Sequence, residues 1–180
     1  MKLYFTPMRV RSRQLSFLPP TPVAHGHDLR KGKRKIARPI DPKRPLHVVL
    51  RASQARGEWS MLHKRNKSRI FLLINQWAEQ FGVEIYRFSN VGNHLHVLVL
   101  PGSRKGFQSF LRVVTGAIAF LVTGTRKGRE LKKRFWDTLA FSRVVSWGRE
   151  FKAVSVYFAK NLLEGLGIPR HGYLMKPFPE

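Results

Sequence analysis

Hydrophobic and polar positions follow regular patterns in the central part of the chain. A short β-branched run at residues 46–50 has the length of a buried strand. Between residues 58 and 81, apolar positions recur with the spacing of one helical face, and Gly82 can end that helix. Residues 83–88 and 94–100 alternate like strands on either side of a turn-prone segment. This half of the pattern predicts a strand, a helix and a β-hairpin.

The pattern continues with elements of both kinds towards the C-terminus. Residues 107–123 carry apolar side chains on one helical face, residues 135–145 are typical of one or two strands, and residues 151–166 predict a third helix. The resulting order is β-α-β-β-α-β-α. It predicts an α+β fold in which helices pack on an antiparallel sheet.

The first 44 residues differ from the rest in composition. They are rich in Lys and Arg, contain few acidic residues and are interrupted by prolines. We interpret residues 1–44 as a flexible basic arm, either a nucleic-acid arm or a solvated extension. Residues 45–168 then form the folded domain, and residues 169–180 form a C-terminal tail.

The charge of the chain indicates a polyanionic partner. Its 180 residues include 34 Lys and Arg against 10 Asp and Glu, a formal net charge of +24. The hydrophobic share of 43% is too high for a disordered basic tail. The absence of cysteine excludes disulfides, thiolate zinc sites and a cysteine nucleophile.

Apolar segments give no indication of a membrane protein. The longest apolar run, residues 113–122, is shorter than a bilayer span, and the first twenty residues lack the apolar region of a secretory signal. We therefore expect a nucleic-acid protein of the cytoplasm, associated with the nucleoid, with no membrane partner.

A histidine pair lies in the second strand of the predicted hairpin. His94 and His96 are two residues apart, so in a strand they project from the same face. Their imidazoles could share a divalent ion. A His-x-His triplet also arises by chance, but two buried histidines in an apolar strand would each need a polar partner.

Tyr157 and Asn161 lie one turn apart on the last predicted helix. A phenol can attack phosphorus and form a phosphotyrosine ester, which divides a transesterification into two easier steps. Taken alone, Tyr157 is better explained as an amphipathic tyrosine at the edge of the core. Its combination with the histidine pair favours the catalytic interpretation.

These motifs resemble those of the single-tyrosine HUH transposases, in particular the REP-associated tyrosine transposases and the transposases of the smallest insertion sequences. Residues 93–96 resemble the Asn-His-hydrophobic-His signature, and residues 157–161 resemble the Tyr-x-x-x-Asn/Gln helix. Residues 45–51 are similar to the first strand of the family. The resemblance covers about residues 45–168 and does not extend to the basic arm.

The resemblance implies an RRM-like palm, a separate tyrosine-bearing helix and cleavage of single-stranded DNA through a 5′-phosphotyrosine intermediate. By this resemblance His94, His96 and Asn161 match the ligands of Mg²⁺ or Mn²⁺, and Tyr157 matches the nucleophile. Some relatives have a histidine where this chain has Ala159. Hairpin-forming repeats as substrate and a homodimer are further implications. Whether Tyr157 acts in cis or in trans stays open.

Basic and aromatic residues outside the motifs are candidates for DNA contacts, since cations bind phosphates and rings stack on unpaired bases. Trp147 and Phe135 are further rings that could stack. The alternatives are a catalytically inactive protein that binds RNA or DNA, and a basic structural protein such as a ribosomal one. The DNA-binding candidates are Arg104, Lys105, Arg112, Lys132, Lys133, Arg134 and Trp136.

Overall fold

A five-stranded antiparallel sheet forms the centre of the computed structural model, which describes residues 23–26, 37–125 and 134–165. The strand order across the sheet is β1-β5-β2-β4-β3, and every neighbouring pair is antiparallel. This confirms the predicted sheet. The strands are β1 (Ala24–His25), β2 (Leu46–Arg51), β3 (Val83–Asn90), β4 (His94–Pro101) and β5 (Phe141–Val144).

Three α-helices pack on this sheet, as the pattern predicts. They are α1 (Lys67–Gln80), α2 (Arg104–Thr123) and α3 (Arg149–Gly165). From β2 onwards the element order is the predicted β-α-β-β-α-β-α, which confirms the α+β class. The hairpin is also confirmed, because β3 pairs with β4 from Val83 opposite Pro101 to Asn90 opposite Leu95.

The main core lies between one face of the sheet and helices α1 and α2. Because side chains alternate along a strand, Leu46, Val48 and Leu50 of β2 all point into this core. The partners from β4 and the helices are Leu95, Val97, Val99, Ile70, Ile74, Phe107, Phe110, Val114 and Ile118.

The opposite face of the sheet carries α3. A second, smaller buried cluster joins Leu98 of β4, Val145 and Phe158 of α3. The helix therefore packs separately from α1 and α2, as expected for a tyrosine-bearing helix outside the main layer. The strand residues that line an open cavity beside α3 on this face are mainly polar, with Val49 and Phe141 as the apolar ones, and they form the site described below.

Helix α2 begins and ends at well-defined caps. The Ser103 side chain accepts a hydrogen bond from the backbone N–H of Gly106 (3.0 Å), and Gly124 ends the helix in the left-handed conformation (φ 64°).

By length and composition alone α2 could cross a membrane, with a mean hydropathy of 1.4. Helices in the core of soluble proteins share that property, and five α2 residues are buried.

Helix α1 is shorter than the predicted helix at residues 58–81. A 3-10 turn at Gly57–Trp59 and a series of turns precede it, and the helix begins only at Lys67. The Asn66 side chain donates hydrogen bonds to the carbonyls of Glu58 and Ser60, both 2.9 Å, which ties the segment into a loop. The prediction was wrong here because this side-chain bonding competes with helix formation.

Residues 135–145 contain a single strand, β5, at their C-terminal end. The preceding segment is a loop fixed by Asp137. The Asp137 carboxylate accepts hydrogen bonds from the backbone N–H (2.8 Å) and the hydroxyl (2.7 Å) of Ser53. The backbone N–H of Asp137 donates to the carbonyl of Arg51 (3.0 Å). The loop is thereby attached to the end of β2.

Part of the N-terminal segment 1–44 belongs to the fold. Strand β1 pairs with β5, with Ala24 opposite Arg143. Arg38 donates to the Ser142 hydroxyl and to the carbonyl of Ala140. This strand was not predicted from the sequence. Residues 1–22 and 27–36 and the tail 169–180 lie outside the described residues, so the basic arm and the tail remain predictions.

We expect Phe107→Ala to lower the free energy of unfolding by about 3–5 kcal/mol, because this fully buried ring leaves a cavity in the main core. Phe120→Ala on the same helix is the matched control, since that ring is 51% exposed. Urea unfolding of both variants measures the difference. Equal losses would contradict the assignment of the core face of α2.

Candidate functional site: a histidine pair beside an exposed tyrosine

The β3–β4 turn determines where the histidine pair begins. The Asn90 side chain donates to the carbonyl of Met61 (2.8 Å) and accepts from the N–H of Gly92 (3.0 Å), which adopts a positive φ of 92°. The Val91 N–H donates to the carbonyl of His94 (3.0 Å) and closes the turn. The turn is therefore fixed at its base, and His94 follows it directly.

His94 and His96 lie on the same face of β4, as the alternation predicts. Their ring centroids are 4.8 Å apart and the rings are nearly perpendicular. His94 Nδ1 lies 2.6 Å from the side-chain oxygen of Asn93. Because a carbonyl oxygen can only accept, a neutral His94 in this arrangement has its proton on Nδ1 and the lone pair on Nε2.

A third histidine, His47 of β2, lies against this pair. Its Nε2 is 3.1 Å from Nδ1 of His96, and the two rings stack with centroids 5.4 Å apart. The Nε2 atom of His96 is buried and has no hydrogen-bond partner among the residues that the structure describes. A buried polar nitrogen without a protein partner is available to a metal ion, a ligand or a water molecule.

Burial keeps two of these histidines neutral at physiological pH. It lowers the pKa of His96 to about 3, with further lowering by His47 and His94. Burial also lowers the pKa of His47 to about 4, and the nearby Arg143 adds to the effect. Neutral imidazole is the form that binds metal ions.

Helix α3 places Tyr157 over the histidines. The Tyr157 ring centroid is 5.5 Å from that of His96 and 6.0 Å from that of His47, both in edge-to-face contact. Phe158, the next residue, is buried against the sheet and holds the helix in place. Tyr157 itself is 44% exposed, so this side chain is accessible from solvent.

An open cavity of about 640 Å³ connects these groups. It is wide enough to admit a ligand between the sheet and α3. Two arginines border it, Arg51 opposite His94 in the β2–β4 register and Arg143 opposite His47 in the β2–β5 register. Arg143 forms an ion pair with Glu150 of α3, and both line the cavity.

Comparison with known proteins identifies the family to which this geometry belongs. The family model described as IS200-like transposase matches residues 44–160, which include both the histidine pair and Tyr157. The chain belongs to this family. The resemblance seen in the sequence is thereby confirmed, and the chain is a transposase of the IS200 type.

Solved structures also match this chain. One of them is a protein from Deinococcus radiodurans R1 assigned as a transposase, with 12% sequence identity and a TM-score of 0.42. The match covers 66% of this transposase and 89% of that chain. A comparison with curated proteins gives no match.

Asn161 lies one turn beyond Tyr157, as the spacing predicts, but it does not line the histidine cavity. It is 4% exposed, and its amide nitrogen has no hydrogen-bond partner among the described residues. Since the two ends of an amide can be exchanged by rotation, the buried end can equally present an oxygen. Its assignment as a metal ligand stays a prediction.

The DNA-binding candidates are spread over several parts of the surface. Arg112, Arg134 and Trp136 line a second cavity of about 630 Å³ between α2 and the loop before β5. Arg104 donates to the backbone carbonyls of Arg38 and Ile40, and Lys105 is exposed on α2. Lys132 and Lys133 lie outside the described residues.

The two further stacking candidates differ in accessibility. Phe135 is 3% exposed within the main core and cannot stack on a base. Trp147 is 49% exposed, and its ring nitrogen donates to the carbonyl of Lys43 (2.9 Å). Of these two rings, Trp147 is therefore the one that is accessible to a ligand.

Three residues that surround the histidine pair were not predicted from the sequence. His47, Arg51 and Arg143 lie on strands whose contact with β4 depends on register. Alternation along β2 places His47 and Arg51 on one face, which was the available signal. The sequence does not show which face of the sheet these side chains occupy or which residues they contact. Both depend on how the strands pair.

Proposed function

We propose that this transposase cleaves and rejoins single-stranded DNA through a covalent bond to Tyr157. The observation that supports the proposal is the exposed Tyr157 ring in contact with His96 within one open cavity. An accessible phenol next to neutral imidazoles is suited to attack on a phosphodiester. Membership of the transposase family agrees with such an activity on DNA.

The proposed step is a transesterification at phosphorus. The Tyr157 oxygen forms a bond to phosphorus, the bond from phosphorus to the 3′-oxygen breaks, and the phenolic proton passes to solvent while the 3′-oxygen leaves as a hydroxyl. The product is a 5′-phosphotyrosine ester with a free 3′-OH. Because the ester retains the bond energy, attack by a 3′-OH reverses the step and rejoins DNA without a nucleotide cofactor.

The donor set of the cavity fits a divalent metal ion, for which we propose Mg²⁺ or Mn²⁺. The supporting observation is the buried, unpartnered Nε2 of His96 beside His94. Among the described residues no group of three His, Cys, Asp or Glu side chains is arranged to hold a metal ion. The third ligand that we propose, from the resemblance to the family, is Asn161. A bound ion would polarise the scissile phosphate and stabilise the charge on its oxygens.

His47 orients His96 in this proposal. For His96 Nε2 to carry a lone pair, the proton of the neutral ring must be on Nδ1, where it is donated to Nε2 of His47 (3.1 Å). The side-chain oxygen of Asn93 accepts from Nδ1 of His94 in the same way. Each histidine is thus held through Nδ1 while Nε2 faces the ligand.

We expect His47→Leu to weaken Mn²⁺ binding by about 10- to 100-fold, because the acceptor for the His96 proton is lost. His47→Gln retains a side-chain acceptor, so it should restore most of the affinity. Isothermal titration calorimetry with Mn²⁺ measures both variants. Equal affinities for the two would contradict the role of His47.

Single-stranded DNA is the proposed partner, with hairpin-forming repeats as the first substrates to test. The formal charge of +24 favours a polyanion, and the exposed Arg112 and Arg134 lie together beside the second cavity. A homodimer remains part of the proposal.

The experiment that tests the function is a search for the covalent adduct. The full chain is incubated with Mn²⁺ or Mg²⁺ and a hairpin-bearing single strand labelled on its 3′ side, then denatured and separated by electrophoresis. We expect label on the protein, with the modified peptide containing Tyr157, and no label in EDTA. Tight, salt-sensitive binding without any adduct would instead favour an inactive nucleic-acid-binding protein.

A further inference from the structure

Arg143 occupies a position where it can contact both the histidine site and a substrate strand. It lies on the same sheet face as His47, directly opposite it in the β2–β5 register. Both line the cavity that contains Tyr157. The Arg143 side chain is 48% exposed, so its guanidinium reaches solvent at the cavity wall. A planar guanidinium at this place is suited to bind a phosphate through two hydrogen bonds.

The Arg143 guanidinium already holds an anionic group from the chain itself. The Glu150 carboxylate of α3 forms an ion pair with Arg143 and also accepts a hydrogen bond from the backbone N–H of Ser146 (2.7 Å). The Ser146 N–H, Arg143 and further hydrogen bonds lower the pKa of Glu150, although partial burial opposes this. The carboxylate is therefore ionised at neutral pH, like the phosphate of a DNA strand.

We propose that Arg143 binds a backbone phosphate of the DNA strand beside the scissile linkage, and that Glu150 occupies Arg143 until the strand displaces it. The proposal rests on the proposed function, because it takes single-stranded DNA as the ligand of this cavity. Glu150 then acts as an internal competitor whose carboxylate is exchanged for a phosphate. Its second hydrogen bond, to Ser146, keeps Glu150 in place after the exchange.

The exchange is energetically accessible. Ion pairs that water can reach contribute little to stability because water screens them, and here Arg143 is 48% and Glu150 29% exposed. A phosphate brings a charge of the same sign and releases condensed counterions from the DNA, which favours binding. Arg51, 55% exposed and 3.7 Å from Asp137, borders the same cavity and adds positive charge next to the exchanged phosphate.

The chain offers a matched control for the charge changes. Arg65 and Glu58 form an exposed ion pair of 2.9 Å, and neither lines the histidine cavity. Substitutions in this pair alter the net charge by the same amount as those at Arg143 and Glu150. They therefore report the effect of charge alone on DNA affinity.

The test measures binding of a fluorescent single strand by anisotropy in EDTA, with Tyr157→Phe in every variant so that no cleavage intervenes. Arg143→Ala should weaken binding by about tenfold and reduce the salt slope by about one. Glu150→Gln keeps an acceptor for Ser146 and should tighten binding by up to about fivefold. Arg65→Ala and Glu58→Gln should change the affinity for the strand less than the substitutions at Arg143 and Glu150 do.

The double variant separates competition from charge. In the Arg143→Ala background, Glu150→Gln should give no more tightening than Glu58→Gln does. The proposal would be overturned if Glu150→Gln raised the DNA affinity as much in the Arg143→Ala background as in its absence. It would also be overturned if substitutions at Arg143 and Glu150 changed the affinity no more than those at Arg65 and Glu58. Arg143→Ala is set aside if it lowers the thermal unfolding midpoint. The comparison of Glu150→Gln with Glu58→Gln then still tests whether Glu150 competes with the DNA for Arg143. Adduct formation by the unaltered chain is a separate readout, so failure of the cleavage mechanism is distinguishable from failure of this proposal.

Discussion

Replacing Tyr157 with phenylalanine should abolish the covalent protein–DNA adduct. The substitution removes only the phenolic oxygen, the atom that we propose attacks phosphorus. The ring contacts with His47 and His96 stay in place, so the fold and the cavity are retained. Loss of a catalytic nucleophile typically lowers turnover by a factor of at least about 1,000.

Tyr86→Phe is the matched control for this prediction. Tyr86 packs against Trp147 and Phe151 on the α3 side of the sheet, and its hydroxyl donates to Glu84 at 3.1 Å. It does not line the histidine cavity. We therefore expect Tyr86→Phe to form the adduct as the unaltered chain does. Both rates are measured by single-turnover cleavage of the labelled strand.

The outcome of this comparison discriminates between two classes of protein. Nicking that survives Tyr157→Phe would exclude the tyrosine mechanism. Strand binding that is unchanged by Tyr157→Phe and by His94→Ala, with no adduct from the unaltered chain, would assign the protein to the inactive nucleic-acid-binding relatives. Loss of the adduct with retained binding is the result that supports cleavage.

Local patterns in the sequence were sufficient to predict the elements that carry the site. Alternation along β4 placed His94 and His96 on one face, and their ring contact confirms that geometry. The spacing on α3 placed Tyr157 and Asn161 one turn apart. These relations depend only on the repeat of a single strand or helix, which a sequence shows directly.

Relations between elements were not predictable in the same way. His47 and His96 lie on the paired strands β2 and β4 but are not directly opposite each other, since Val49 is the residue opposite His96. The Arg143–Glu150 pair likewise joins a strand to a helix. Strand β1 contains two residues, too few for a periodic pattern, and its pairing with β5 follows from tertiary contacts.

His96 should be the residue on which metal binding depends most strongly. Its Nε2 is the buried nitrogen that lacks a partner among the described residues, and its ring is held by His47. We expect His96→Gln to weaken Mn²⁺ binding by at least about 100-fold, since loss of a ligand exceeds loss of a supporting residue. Mn²⁺ is the suitable probe because imidazole is a softer ligand than Mg²⁺ usually takes.

The readout for this prediction is the electron paramagnetic resonance signal of free Mn²⁺, which decreases as the ion binds. His63→Gln is the matched control, because His63 lies in the loop before α1, where its Nδ1 accepts from the Arg65 N–H, outside the histidine cavity. It should bind Mn²⁺ as the unaltered chain does. If His96→Gln binds Mn²⁺ equally well, the ion is held elsewhere, and the unpartnered nitrogen of His96 must then contact the DNA or a water molecule instead.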